Sequence, residues 1–278
     1  MSGLWMDATG TGDLAGSPLS FAIAENDRRT MAMVREALQR RRLLLAYQPV
    51  VTGADVSRVA FHEGLIRVLD AQGRVIPARD FMGAVETTEI GRLIDCAALE
   101  LGLDTLRREP GLRLSVNMSA RSIGYPRWLD ILKRGLAADA TAGERLILEI
   151  TEGSAMLMPE IVTTFMHGVQ REGICFALDD FGAGYTAFRH FKDFAFDIVK
   201  IDGQFIRGIH RDADNQVLTQ ALFSIARQFD MFTVAESVEE AADAEYLQGI
   251  GVDCLQGYLF GAPTTVPDWA AVATRRRA

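Results

Sequence analysis

The chain has 278 residues, 49% hydrophobic and 24% charged, with a formal net charge of -8. That balance is ordinary for a soluble globular protein, and the length suits one large α/β domain or two small ones. The acidic excess argues against long nucleic acid held through its phosphates, and no apolar run approaches the ~18 residues that span a bilayer.

Residues 1–25, rich in Gly, Ser and Asp near the start, are expected to form a disordered tail or linker. The first twenty contain no Lys or Arg, so no secretory signal is expected and the expected address is cytoplasmic. Residues 26–278 are then one domain, with a catalytic core at about 43–265. From Asn26 to Arg42, Met31, Val34 and Leu38 fall at helical spacing among arginines, predicting a basic helix.

Eight apolar runs follow: "LLLAYQPVV", "VAFHEGLIRVL", "LRLSVNMS", "LILEITE", "CFALDDF", "FDIVKID", "FTVAESV" and "CLQGYLF". Helical patterns lie between most of them. One covers 158–172, with Ile161, Phe165 and Val169 four apart and Gly173 as the stop; another covers 215–229, with Leu218, Leu222 and Ile225 on one stripe. Eight strands with intervening helices fit an α/β fold of the TIM-type (β/α)8 class better than an open sheet.

In such a barrel the active site is built at the C-terminal ends of the strands. Here the runs end in Glu63, Asn117, Glu149, the pair Asp179–Asp180, Lys200 and Glu236, and the last contains Gln256. Period-two alternation puts Glu63, Leu65 and Arg67 on one face, Lys200 with Asp202 on another, and Glu149 with Thr151. Asp180 has the wrong parity to join Asp179 unless the backbone turns, and Gly182 and Gly184 are expected to supply that turn. Carboxylates crowded at one mouth repel unless cations intervene, and oxygen-only ligands suit Mg2+ or Mn2+. Two such ions side by side would explain the adjacent aspartates and would serve phosphoester cleavage.

Other motifs carry less. "HEGLI" lacks the second histidine of a zinc-binding helix, and "GAGYTA" lacks the third glycine of a dinucleotide fingerprint. Cys96, Cys175 and Cys254 are odd in number and widely spaced, which argues against a disulfide framework or a Cys-based zinc site. A Schiff base on Lys200 would need a poorly protonated amine, which the acidic surroundings disfavour.

Taken in order, "YQPVV", "HEGLIR", "SVNMSA", "LEITE", "LDDFGAGY", "VKID", "AESVE" and "QGYLFGAP" resemble the EAL family of cyclic di-GMP phosphodiesterases over roughly residues 30–265. The resemblance implies a TIM-type barrel whose first strand runs antiparallel to the rest, and hydrolysis of cyclic di-GMP to 5′-pGpG with two Mg2+ or Mn2+ ions. It implies Glu63, Asn117, Glu149 and Asp179 as ligands of the first ion, and Asp180 with Glu236 at the second. Lys200 would orient or deprotonate the attacking water, with Glu63 and Glu236 beside it in the catalytic set. Gln48, Leu65, Arg67, Asp202 and Gln256 would contact substrate or the water site, and Glu152 would brace the loop bearing Gly182 and Gly184. A homodimer is also implied, and the tail and basic helix would suit a linker to an upstream regulatory domain. This chain departs from the family pattern at Gly64, Ala183, Thr186-Ala187 and Ser237, where Ala, Thr, a Ser pair and Gly are usual. The alternative reading, from a different class, is a receptor that binds cyclic di-GMP without cleaving it.

Overall fold

The computed structural model describes residues 18–184 and 191–269. Tyr185, Thr186 and Ala187 of the glycine-rich loop lie outside them. Among the described residues there are nine strands: β1 (Leu43–Thr52), β2 (Val59–Leu69), β3 (Val75–Pro77), β4 (Leu114–Asn117), β5 (Leu146–Thr151), β6 (Cys175–Phe181), β7 (Ile198–Ile201), β8 (Phe232–Ala235) and β9 (Cys254–Gln256). Among the described residues the helices are α1 (Pro18–Gln39), α2 (Met82–Val85), α3 (Glu89–Arg108), α4 (Pro126–Ala138), α5 (Glu152–Leu157), α6 (Pro159–Val169), α7 (Ala213–Gln228) and α8 (Ala241–Ile250).

All eight apolar runs became strands. Strand β2 and strands β4 to β9 pair parallel in chain order, and β1 pairs antiparallel with both β2 and β9, which closes the barrel. The antiparallel first strand is thus present. Strand β3 went unread in the sequence: three residues are too few to show alternation, and it adds an antiparallel hairpin to the far end of β2.

The barrel core explains where the polar residues go. Val50, Phe61, Ile147, Ala177, Ile198 and Val234 fill the interior as one small apolar plug. Two residues further along each parallel strand stand Glu63, Glu149, Asp179, Lys200 and Glu236. Since successive side chains alternate faces, a step of two keeps them inside the barrel, one layer above the plug. On antiparallel β1 the step runs backwards, from Val50 to Gln48, and the register sets Gln48 opposite Glu63. The outward residues Leu114, Leu148, Leu178 and Val199 are fully buried in the larger core that includes residues of the surrounding helices. A strand such as "LILEIT" is therefore apolar on both faces apart from its functional residue.

Helix boundaries depart modestly from the sequence reading. Helix α1 begins at Pro18, inside the segment expected to be a tail. Val34 is fully buried as its stripe predicts, with Met31 and Leu38 packed alongside. Helix α6 ends where expected, through a 3-10 turn into Gly173 at φ 82°. Its buried face is Val162, Phe165 and Met166, leaving Ile161 exposed, and α7 likewise buries Leu222 and Phe223 while Leu218 faces out. The rotation of each helix about its axis is set by contact with the barrel, which apolar spacing alone does not specify.

A buried acid on α3 supports the turn that follows β4. Asp95 Oδ2 accepts hydrogen bonds from Ser119 N at 3.0 Å and Ser122 Oγ at 2.5 Å. Burial pushes its carboxyl up to about 7, with the Glu86 charge adding and the two serine hydrogen bonds opposing. A folded-state pKa above the unfolded one means the folded chain holds an extra proton between the two values. Stability is then fully present below the unfolded pKa and lost as pH rises through about 7. Asp95→Asn keeps the accepting oxygen and removes the titration, so its Tm relative to wild type should climb by roughly 3 °C or more between pH 5 and pH 8. Thermal melts of both proteins across that range check this; an equal gap at both ends overturns it.

Candidate active site

At the C-terminal ends of the parallel strands, Lys200 stands at the centre of the predicted residues. Its Nζ lies 2.7 Å from Glu236 Oε1, 3.0 Å from Glu149 Oε2, 3.2 Å from Asp179 Oδ1 and 3.3 Å from Glu63 Oε2. The lysine is 1% exposed and Glu149 0%. Asn117 Nδ2 donates to Glu63 Oε1 at 2.9 Å, and Gln256 Nε2 donates to Glu63 Oε2 at 2.6 Å and to Gln48 Oε1 at 3.3 Å. Seven strands, and the residue that follows β8, thereby contribute to one polar layer.

Four carboxylates around one ammonium leave a surplus of negative charge, and the titration behaviour follows. Burial alone would lower the Lys200 pKa, yet Asp179, Glu149, Glu236 and Glu63 together hold its ammonium well above the usual range. A Schiff-base nucleophile is disfavoured for the same reason. Burial pulls Glu63 upward, but the Lys200 charge and the hydrogen bonds from Gln256 and Asn117 outweigh it and leave its carboxyl below the usual range. Glu149 goes the other way: burial and then the Glu63 charge push it well up, with Lys200 only partly opposing. Burial also raises Glu236 to about 8, against the pull of Lys200.

The adjacent aspartates divide as parity requires, with one correction. Asp179 points into the barrel, and Asp180 joins it because Asp180 itself takes a left-handed backbone at φ 57°. The pairing of β6 with β7 shifts register between Leu178 and Phe181, as at a bulge. The turn thus begins two residues before Gly182, which continues it at φ 91°. Asp, with a short polar side chain, is among the few non-glycine residues that adopt this conformation readily. Partial desolvation of the carboxyl, then the neighbouring Asp179 and Asp202 charges, raise Asp180 to about 6, although the residue as a whole is exposed.

Ligand oxygens of Asp179, Asp180 and Glu236 lie within 4.8 Å of one another, a spacing that could hold a metal ion. Among the described residues, Glu149 Oε1 and Gln256 Oε1 are buried acceptors with no hydrogen-bond partner. Surplus charge, an all-oxygen donor set and unpaired acceptors fit a hard divalent cation. Glu63 and Glu149 lie against Lys200, and Asn117 bonds Glu63.

The predicted substrate residues separate into two groups. Gln48, Leu65 and Gln256 line a cavity of about 280 Å³ together with Glu63, Asp179, Lys200 and Glu236. Arg67 does not line it; the side chain is half-buried and its Nη1 donates to the Ile66 carbonyl at 3.0 Å. Asp202 caps the following turn, accepting from Gln204 N at 2.7 Å. Glu152 is buried and its Oε2 accepts from Gly182 N at 3.0 Å, with Gly184 also against it. Gly64 points away from the site, where a Cβ would press on the Ser115 carbonyl at 3.2 Å and on Leu114 and Leu45. Arg207, Ser237, Glu239 and Tyr258 also line the cavity. Sequence reasoning assigned them no role, since they lie in loops where alternation gives no signal.

The comparisons with known proteins agree with this geometry. The family model described as the EAL domain matches residues 31–263. The bifunctional diguanylate cyclase/cyclic di-GMP phosphodiesterase MucR of Pseudomonas aeruginosa is 29% identical over 87% of this chain and 36% of its own length. The cyclic di-GMP phosphodiesterase PdeF of Escherichia coli is 29% identical over 86% of this chain and 32% of its own. The chain thus spans about a third of the length of these curated relatives. Among solved structures, the PaMucR phosphodiesterase in complex with c-di-GMP superimposes with a TM-score of 0.74 at 28% identity, covering 86% of this chain and 98% of that one. The FimX EAL domain of Pseudomonas aeruginosa, bound to c-di-GMP, gives 0.79 at 24% identity over 86% of this chain and 98% of that one, a likeness of fold. The barrel, its closure through an antiparallel first strand and the match over residues 31–263 place this chain in the EAL domain family.

Proposed function

We propose that this chain is a phosphodiesterase that hydrolyses cyclic di-GMP to linear 5′-pGpG with two Mg2+ or Mn2+ ions. The observation that carries the reading is the buried layer in which Glu63, Glu149, Asp179 and Glu236 surround Lys200, with Asp180 beside them. Asp179, Asp180 and Glu236 would hold one ion, and Glu63, Asn117 and Glu149 would join Asp179 at the other. Bound divalent ions supply charge neutralisation and acidify a coordinated water.

The chain's own residues supply the rest. Lys200, held as an ammonium, donates hydrogen bonds; it orients the attacking water and steadies negative charge on the phosphoryl oxygens rather than accepting a proton. Glu236, 2.7 Å from Lys200 Nζ, would hold that ammonium beside the ion it helps to bind. Gln48 and Gln256 hold Glu63 and the wall beside it in place. Arg67 and Asp202, set back from the cavity, would serve substrate only from its periphery. Glu152 would keep the Gly182–Gly184 loop in register, and the same reading gives a cytoplasmic homodimer that can be joined to an upstream regulatory domain.

The test is cyclic di-GMP turnover by the purified chain with Mg2+, Mn2+ or excess Ca2+, alongside Glu63→Ala. Formation of 5′-pGpG should require Mg2+ or Mn2+, and the variant should lose about a hundredfold or more. Binding without cleavage under every metal would instead make this chain a receptor.

A further inference from the structure

Within the cavity, the described cations are Lys200 and Arg207, against Glu63, Asp179, Glu236 and Glu239. Lys200 is wholly committed to carboxylates. Arg207 is not: its side chain is 59% exposed, and its ion pair with Glu239 is long, at 4.0 Å. The arginine lies beyond β7, where the chain passes over Gly203. A side chain at Gly203 would collide with the Ser237 hydroxyl and come within 3.2 Å of the Arg207 guanidinium carbon. Arg207 Nη2 donates to Ser237 Oγ at 2.9 Å.

Ser237 makes that contact from a left-handed backbone at φ 56°. Such a conformation is strained for any residue but glycine, Asn and Asp. A serine there gains a hydroxyl at the cost of backbone strain, and that hydroxyl fixes the guanidinium at the cavity wall. Arg207 and Glu239 also line the adjoining cleft, of about 590 Å³, so the guanidinium stands where the two spaces meet.

We propose that Arg207, positioned by Ser237, binds the phosphate of a cyclic dinucleotide that is not under attack. This rests on the phosphodiesterase reading. A cyclic dinucleotide carries two phosphates, and only one can occupy the metal-binding acids. The other must find its countercharge elsewhere in a cavity rich in carboxylates. A guanidinium meets a phosphate through paired donors, and fixing it beforehand lowers the entropy lost on binding.

The experiment measures cyclic di-GMP binding to the full chain in Ca2+ by calorimetry, and Mg2+-dependent turnover of cyclic di-GMP and of bis(4-nitrophenyl) phosphate, which has a single phosphate. Arg207→Ala should weaken cyclic di-GMP binding roughly tenfold or more. It should raise KM far more than it lowers kcat, and reduce kcat/KM for cyclic di-GMP at least about fivefold more than for the one-phosphate substrate. Arg207→Lys should recover part of the loss. Ser237→Gly relieves the strained backbone, so it should melt at or above the wild-type Tm while binding cyclic di-GMP more weakly. Equal loss on both substrates, or unchanged cyclic di-GMP binding in Arg207→Ala, overturns the assignment and leaves the phosphodiesterase reading standing. Failure of the wild-type chain to bind cyclic di-GMP removes both.

Discussion

Lys200→Met is expected to be the most damaging single change in the barrel. In a chelator at pH 8 it should cost about 3–5 kcal/mol of stability, the scale seen when one partner of a buried ion group is removed. At this chain length that corresponds to a Tm lower by roughly 10 °C. The reason is the count of charges: Lys200 is the cation within 3.3 Å of four carboxylates, three of them buried, and methionine fills its volume without its charge. The carboxylates can escape repulsion only by taking up protons, so the loss should shrink toward pH 5. Mg2+ should restore part of it, because added ions neutralise the same acids. Turnover should fall by about a hundredfold or more even with saturating Mg2+, since the ammonium would no longer orient the attacking water. Thermal melts at pH 5 and 8, with chelator and with Mg2+, check the stability arm. A Tm within about 2 °C of wild type at pH 8 in chelator would mean that the acids are accommodated without Lys200.

Much of the site was legible because its residues obey a rule of two. Phe61 and Glu63, Ile147 and Glu149, Ala177 and Asp179, Ile198 and Lys200, and Val234 and Glu236 each pair a plug residue with a polar residue one layer higher. Alternation alone therefore identifies the acids and the lysine. What alternation does not contain is the register between strands, and the register decides that Lys200 sits amid the others instead of at the edge. It also says nothing of backbone sign. Asp180 and Ser237 take left-handed conformations that their residue types do not announce, and the turn at Asp180 was expected at Gly182 for that reason. Arg67 shares the parity of Glu63 on β2 and stands four residues further along the strand, outside the lining of this cavity. Arg207 reaches the cavity from a loop, where no periodicity exists to be read.

Glu149→Gln separates what the acids do for the fold from what they do for catalysis. Glu149 is fully buried, and burial with the Glu63 charge raises its carboxyl well above the ordinary range. The folded chain therefore holds a proton there that the unfolded chain releases above its own, lower pKa. Stability from this group is fully present below the unfolded pKa and is lost as pH rises through the folded one. Glutamine has the same shape and no titration, so the variant should match wild type near pH 5 and melt higher at pH 8 in chelator. Adding Mg2+ should reverse the order. Ion binding would stabilise wild type by mass action, whereas a chain with a neutral amide among its ligands would gain less. Turnover of cyclic di-GMP should fall by about a hundredfold or more in the same variant. Higher stability without metal, smaller stabilisation by metal and lost activity would together identify Glu149 as an acid kept for the cation. A Tm below wild type at pH 8 in chelator would make it an ionised structural partner of Lys200 instead.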